Sequence, residues 1–155
     1  MSDLSHLDSE GNARMVDVGG KEETERIAVA EAFIHLADRA RSALFSGELK
    51  KGDALAAARI AAIGGAKRTS DLVPLCHPLA LTSIDVGIDP TDTGVRLTCT
   101  VRTVGRTGVE MEAITGASIG AITIYDMTKS LDRGAEIGPI RLVAKSGGSS
   151  GDWER

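Results

Sequence analysis

Aromatic residues make up only 3% of this 155-residue chain: one Trp, one Tyr and two Phe. Its core must therefore be aliphatic and alanine-rich. Cysteine is equally scarce. Cys76 and Cys99 have neither CxxC spacing nor a partner cluster, which argues against a disulfide scaffold or a zinc site and fits a reducing compartment. There is no basic excess either, since 18 Lys and Arg face 22 Asp and Glu for a formal charge of −4. Broad binding to nucleic acid or a membrane surface is not expected from that balance, although one local basic pocket for a small anion is compatible with it. No apolar run nears the length of a membrane span and no signal-peptide pattern opens the chain, so the expected location is the cytoplasm. No internal repeat is visible.

What is present describes one ordinary domain over residues 1–155, with 42% hydrophobic and 26% charged residues, long enough to bury a core without disulfides or metals. Residues 1–14 and the tail 147–155, GGSSGDWER, are polar and expected to be flexible. Met15-Val16-Asp17-Val18 suits a short strand. From Lys21 to about Leu44, Ile27, Ala30, Phe33, Ile34, Ala37, Ala40 and Leu44 trace one helical face, with Gly47 able to end it. A second helix is expected from the N-cap Asp53 to about Ile63, weakened at Gly64-Gly65. Ala80–Ile88 and Val95–Arg102 alternate as two strands around a turn-rich link, and Ile140–Lys145 suits a last strand.

The stretch around which the chain is organised is Thr103–Lys129. A glycine-rich loop leads, from about Val109, into a helix of small and apolar residues that is expected to be buried on most sides. Glu110 and Glu112 at its start agree with the helix dipole. Asp126 near its end opposes the dipole and needs a partner, which Lys129 at i+3 can supply. That pair is either a surface ion pair or part of a site. Lys51, just before the Asp53 cap, stands where a helix N-terminus favours anions. Pro74-Leu75-Cys76-His77-Pro78 is read as a rigid, extended segment presenting Cys76 and His77 in fixed geometry. Two readings of it compete: a buried cysteine and a backbone-bonded histidine, or a histidine preorganised for acid–base work or phosphate binding.

The element order is β, α, α, β, β, α, β. With the two early helices merged into one crossover, this is α+β in the ferredoxin-like β-α-β-β-α-β arrangement: an antiparallel sheet, helices on one face and an extra helix in the first crossover. The bare face, with its alternating Thr and Arg, is of the kind that oligomerisation often covers.

KGDALAAARIAAIGGAKRTSDLVPLCHPL, TGVEMEAITGASIGAITIYDMTK and IRLVAKSGG, with MVDVGGKEETER near the start, together resemble the cyclic pyranopterin monophosphate synthase family, the molybdenum cofactor biosynthesis protein C. The resemblance runs from about Leu4 to Trp153. It implies a phosphorus–oxygen lyase that converts 3′,8-cyclo-7,8-dihydro-GTP into cyclic pyranopterin monophosphate and pyrophosphate. It also implies a homohexamer, a trimer of dimers with sites at the dimer interface. The family's catalytic groups fall on Asp126, Lys51 and Lys129, and its substrate contacts on Leu75, Cys76, His77, Met111 and Glu112. Arg26, Lys67 and Lys145 are further candidates for phosphate binding. The net reaction is redox-neutral, so no cofactor and no metal centre are implied, and neither nucleic acid nor membrane is an expected partner.

Two other readings use the same residues: a non-catalytic purine-nucleotide sensor and a structural, hexamer-forming paralogue. Helix geometry adds a constraint. Glu112 and Asp126 are fourteen residues apart, about 40° in azimuth and roughly 21 Å along the axis. Both can serve one compact substrate if two such helices lie antiparallel across a two-fold axis, with Gly116, Ala117, Gly120 and Ala121 expected to allow the close approach.

Overall fold

The computed structural model describes residues 6–155. The expected helix over 21–44 is largely a strand, β1 (Thr24–His35). The period of burial explains the difference. Arg26, Ala28, Ala30, Ala32 and Ile34 are buried, while Ile27, Val29, Glu31 and Phe33 between them are half-exposed. That is period two, with alanines on the covered face and β-branched or aromatic residues on the other. Alanine's helical propensity is overridden by the need for small side chains beneath a helix. Only α1 (Asp38–Ser46) remains of the expected helix, ended by Gly47 as anticipated. Met15–Val18, expected as a strand, belongs to none.

Asp53 caps α2 (Ala54–Lys67), its carboxylate accepting from the Ala56 N–H at 2.9 Å. This helix runs through both glycines because Gly65 lies under Ile119, where an added Cβ would come within 2.8 Å of Cγ1. A single turn, α3 (Thr69–Leu72), follows. Then come the hairpin β2 (Leu81–Thr91) and β3 (Gly94–Gly105), the long helix α4 (Glu110–Thr128), and the strands β4 (Glu136–Ser146) and β5 (Trp153–Glu154).

These strands form one sheet ordered β2-β3-β1-β4-β5, antiparallel at every pairing. The first four give the ferredoxin-like order expected from sequence, with β1 rather than Met15–Val18 as the opening strand. Helices α2 and α4 cover the face carrying Ala28, Ala30, Ala32, Val95, Leu97, Cys99 and Val101. On the opposite face Arg141 pairs with Glu31 at 2.7 Å and lies 5.7 Å from the Phe33 ring centroid.

The small residues of α4 are occupied inside the chain. A Cβ on Gly116 would lie 2.6 Å from Cys99 Sγ and 3.2 Å from Ala62 O, and one on Gly120 would lie 2.4 Å from Leu97 Cδ1. Ala117 and Ala121 are fully buried. These four residues therefore let α4 sink onto α2 and β3, and are not free to contact a partner helix as expected. The tail turns back at 146–152, and Trp153 and Glu154 pair with Lys145 and Ala144. Of the segment 1–14, residues 1–5 lie outside the described chain; Leu7 bridges Ala13, and Asp8 accepts from the Glu10 and Asn12 N–H groups. Among the described residues no helix is long and apolar enough to cross a membrane.

Candidate active site

Helix α4 carries one cluster at each end. At its C-terminal end, Asp126 lies between two ammonium groups. Lys129 Nζ is 2.7 Å from Oδ1, and Lys51 Nζ is 2.9 Å from Oδ2. Lys51 also donates to the main-chain oxygen of Asp126 at 2.7 Å. It therefore closes an orphan carbonyl of the last turn, where the dipole favours a cation. Buried Leu49 and the Asp53 cap fix the turn that presents Lys51. Asp132 accepts from the Ala37 N–H at 2.8 Å and ties the loop after Lys129 to the end of β1.

Lys129 first, then Lys51, lowers the Asp126 pKa to about 2, and Asp126 in turn raises that of Lys129. A carboxylate that acidic is a poor proton acceptor. The cluster thus sets two ammonium groups within 3 Å of one carboxylate. It is also more than the i,i+3 surface pair that sequence alone suggests, because Lys51 comes from 75 residues away.

At the N-terminal end, Leu75, Cys76, His77, Met111 and Glu112 line one cavity of about 270 Å³, together with Val16, Val18 and Lys21. The segment expected to be extended opens instead with a turn at Pro74-Leu75, closed by the Cys76 N–H to Val73 O (3.0 Å). His77 Nε2 lies 2.8 Å from Val16 O. A carbonyl only accepts, so the neutral ring carries its hydrogen on Nε2 and leaves Nδ1 as an acceptor. Burial, and then the charge of Glu112, raises the Cys76 pKa, which disfavours the thiolate.

Glu112 is only 4% exposed. Burial raises its pKa, and the nearby Glu110 adds to the effect. A raised carboxyl pKa means that ionisation opposes folding. The cost is absent below the ordinary glutamate value of about 4.3, grows as pH rises toward the raised native value, and is complete above it. Glu112→Gln is therefore expected to raise the melting temperature at pH 8, with the gain shrinking at pH 4. Equal melting temperatures at both pH values would show that burial of the carboxylate costs nothing.

A second pocket, of about 280 Å³, shares Lys21, Thr107, Gly108 and Glu110 with the first and is lined by Arg26, Arg106 and Lys145. Lys145 lies 3.4 Å from Glu110. Arg26 is 9% exposed in β1, and among the described residues its side chain makes one hydrogen bond, from Nε to Gly105 O at 3.4 Å. Among the described residues no carboxylate pairs with it. Arg26 lines the pocket and none of its nitrogens is both buried and without a partner, so the guanidinium is open to an anion entering there. Lys67 is exposed in the last turn of α2 and lines neither pocket. Lys21 and Arg106 were missed in the sequence. Arg106 carried the signal used for Lys51, a basic residue just before a helix N-terminus. No three His, Cys, Asp or Glu side chains among the described residues group as a metal site requires.

The MoaC family model matches residues 15–148. The chain belongs to the MoaC family. Three relatives named cyclic pyranopterin monophosphate synthase align along nearly the whole chain. That of Roseiflexus castenholzii is 56% identical over 154 residues, covering 98% of each chain. That of Roseiflexus sp. strain RS-1 is 56% identical over 155 residues, covering 99% of this chain and 98% of its own. The Novosphingobium aromaticivorans protein is 53% identical over 154 residues, with the same coverage of 99% and 98%. The span matched to MoaC holds both clusters of α4 as well as Arg26 and Lys145.

Proposed function

We propose that this chain is a cyclic pyranopterin monophosphate synthase, a lyase of molybdenum cofactor biosynthesis that takes 3′,8-cyclo-7,8-dihydro-GTP to cyclic pyranopterin monophosphate and pyrophosphate. The observation that carries this reading is the pairing of two adjoining pockets. One is lined by the buried carboxyl of Glu112, and the other by Lys145 and by Arg26, with which no carboxylate of the described residues pairs. A purine edge with an amine and an N–H suits a carboxylate acceptor, and a triphosphate suits a guanidinium and ammonium groups. The relatives' shared name supports the same activity.

In this reading Leu75, Cys76, His77, Met111 and Glu112 hold the ring system. Ring closure of the phosphate is in-line attack of a substrate hydroxyl on the α-phosphorus. A P–O bond forms, the bond to the bridging oxygen breaks, the hydroxyl proton passes to water, and pyrophosphate leaves with the bonding electron pair. Lys51 and Lys129, held by Asp126, stabilise that charge. Because Glu112 and Asp126 stand at opposite ends of an unbroken helix, one ring system does not reach both within a chain, and a two-fold dimer is the simplest arrangement that brings them together. The proposed assembly is a hexamer, a trimer of such dimers. The proposed setting is the cytoplasm, in keeping with the two free cysteines.

The test is incubation of purified protein with the cyclised GTP precursor, reading pyrophosphate and the cyclic monophosphate. Release of both is expected. Binding without release would overturn the reading in favour of a nucleotide sensor.

A further inference from the structure

Past β4 the chain makes a strap, residues 146–152, that folds back over Arg26 before β5 rejoins the sheet. Its ends are pinned. The Gly147 N–H donates to Asp152 Oδ1 at 3.2 Å, Lys145 Nζ donates to Ser150 Oγ, and the Arg155 N–H donates to Val143 O at 2.9 Å. Two glycines let it lie directly on β1. Gly147 (φ 90°) would place a Cβ 2.1 Å from Glu25 O, and Gly148 (φ 80°) would place one 1.6 Å from Arg26 Nη1. Ser149 and Ser150 line the cationic pocket beside Arg26 and Lys145.

We propose that this strap is a wall of the phosphate site, with Gly148 a positioning residue that sets where the Arg26 guanidinium points and Ser149 and Ser150 supplying hydroxyls to the same anion. The guanidinium has one long bond to hold it, from Nε to a carbonyl. Contact with the strap backbone is what confines its two terminal nitrogens. A planar fork binds phosphate bidentately only from a fixed direction, so its orientation controls affinity. The strap lies nearest Lys145 and Arg26, at the phosphate pocket, and does not line the Glu112 cavity. It therefore bears on how tightly the polyphosphate is held, not on which ring system is accepted. This deepens the proposed function and rests on it for the identity of the anion.

Inorganic tripolyphosphate, titrated calorimetrically into the full-length protein, isolates the phosphate site from the chemistry. Gly148→Ala is expected to weaken binding at least about tenfold, the size of one misplaced charge-assisted interaction. Gly151→Ala is the control for backbone strain. Its φ is 67°, its added Cβ meets nothing within 4 Å, and it does not line the pocket, so its affinity should stay within about twofold of wild type. In an Arg26→Ala background Gly148→Ala should cost nothing further, because the two act as a unit. If Gly148→Ala does not fold, Asp152→Ala unpins the strap without adding an atom and should also weaken binding. In the turnover assay Gly148→Ala should raise KM with little change in kcat.

Equal affinities for Gly148→Ala and Gly151→Ala, or a full further loss in the Arg26→Ala background, would overturn the proposal. So would a wild-type protein that ignores tripolyphosphate while still releasing pyrophosphate from the nucleotide. Strap-dependent tripolyphosphate binding without turnover would leave the strap's role standing and remove the activity reading instead.

Discussion

Asp126→Asn, Lys51→Ala and Lys129→Ala should each fold normally and lose on the order of 10²–10⁴ in kcat, as expected when a charge-stabilising group is removed or misplaced. Asp126→Asn is the sharpest of the three. It keeps the shape of the side chain while turning one acceptor into a donor that faces an ammonium 2.7 or 2.9 Å away. Both lysines then lose their counter-charge, and one of the two loses its side-chain acceptor as well, while the main-chain oxygen at 126 still accepts from Lys51. The side chains are half-exposed, so the melting temperature should barely move. Pyrophosphate release and thermal unfolding measured on the same preparations separate the two effects. Near-normal turnover in any variant removes that residue from the chemistry, and a large drop in melting temperature with proportionate activity would mark a structural pair.

Mixing two inactive proteins, Glu112→Ala and Asp126→Ala, should restore about a quarter of wild-type activity once subunits exchange. Helix α4 is unbroken from Glu110 to Thr128, and fourteen residues at 1.5 Å rise separate the two carboxylates by roughly 21 Å. No single ring system spans that distance. Random pairing makes half the dimers mixed, and each mixed dimer has one site with both residues intact. The surface available for the contact is not the small-residue face, which is filled by α2 and β3. It is the outer side, where Met111 is 39% and Ile122 is 53% exposed, about 20° apart in azimuth. No recovery, with exchange demonstrated by labelled subunits, would place both residues in a site within one chain.

The two ends of α4 were legible because their signals are local: carboxylates in a first turn, a lone acid in a last turn with a lysine at i+3. The partner that completes the second end was less so, because the bond from Lys51 to a main-chain oxygen has no side-chain signature. Strand β1 was misread because alanine satisfies helical and alternating patterns alike, and only the neighbouring layer decides between them. The ferredoxin-like order nonetheless emerged, since the later strands alternate unambiguously and one strand before the first crossover suffices to complete it. Arg26 was legible as a phosphate candidate only through the family resemblance, because its burial on the covered face follows from β1 being a strand. The strap looked like a linker because glycine and serine dominate it, and composition does not report that the glycines are there to meet β1.

The position of β1 also bears on how the protein is made. It is central, yet both its neighbours come later: β3 on one side and β4 on the other, with Glu31 meeting Arg141 across 110 residues. During synthesis the β3 side can close first, while the β4 side keeps a row of open N–H and C=O groups until residue 146 has emerged. Such an edge invites pairing with another nascent chain. Along it, among Ile27, Val29 and Phe33, Glu31 is the one charge, and it remains uncompensated until Arg141 arrives. The same carboxylate that is neutralised in the finished sheet thus guards the strand against strangers while the chain is incomplete.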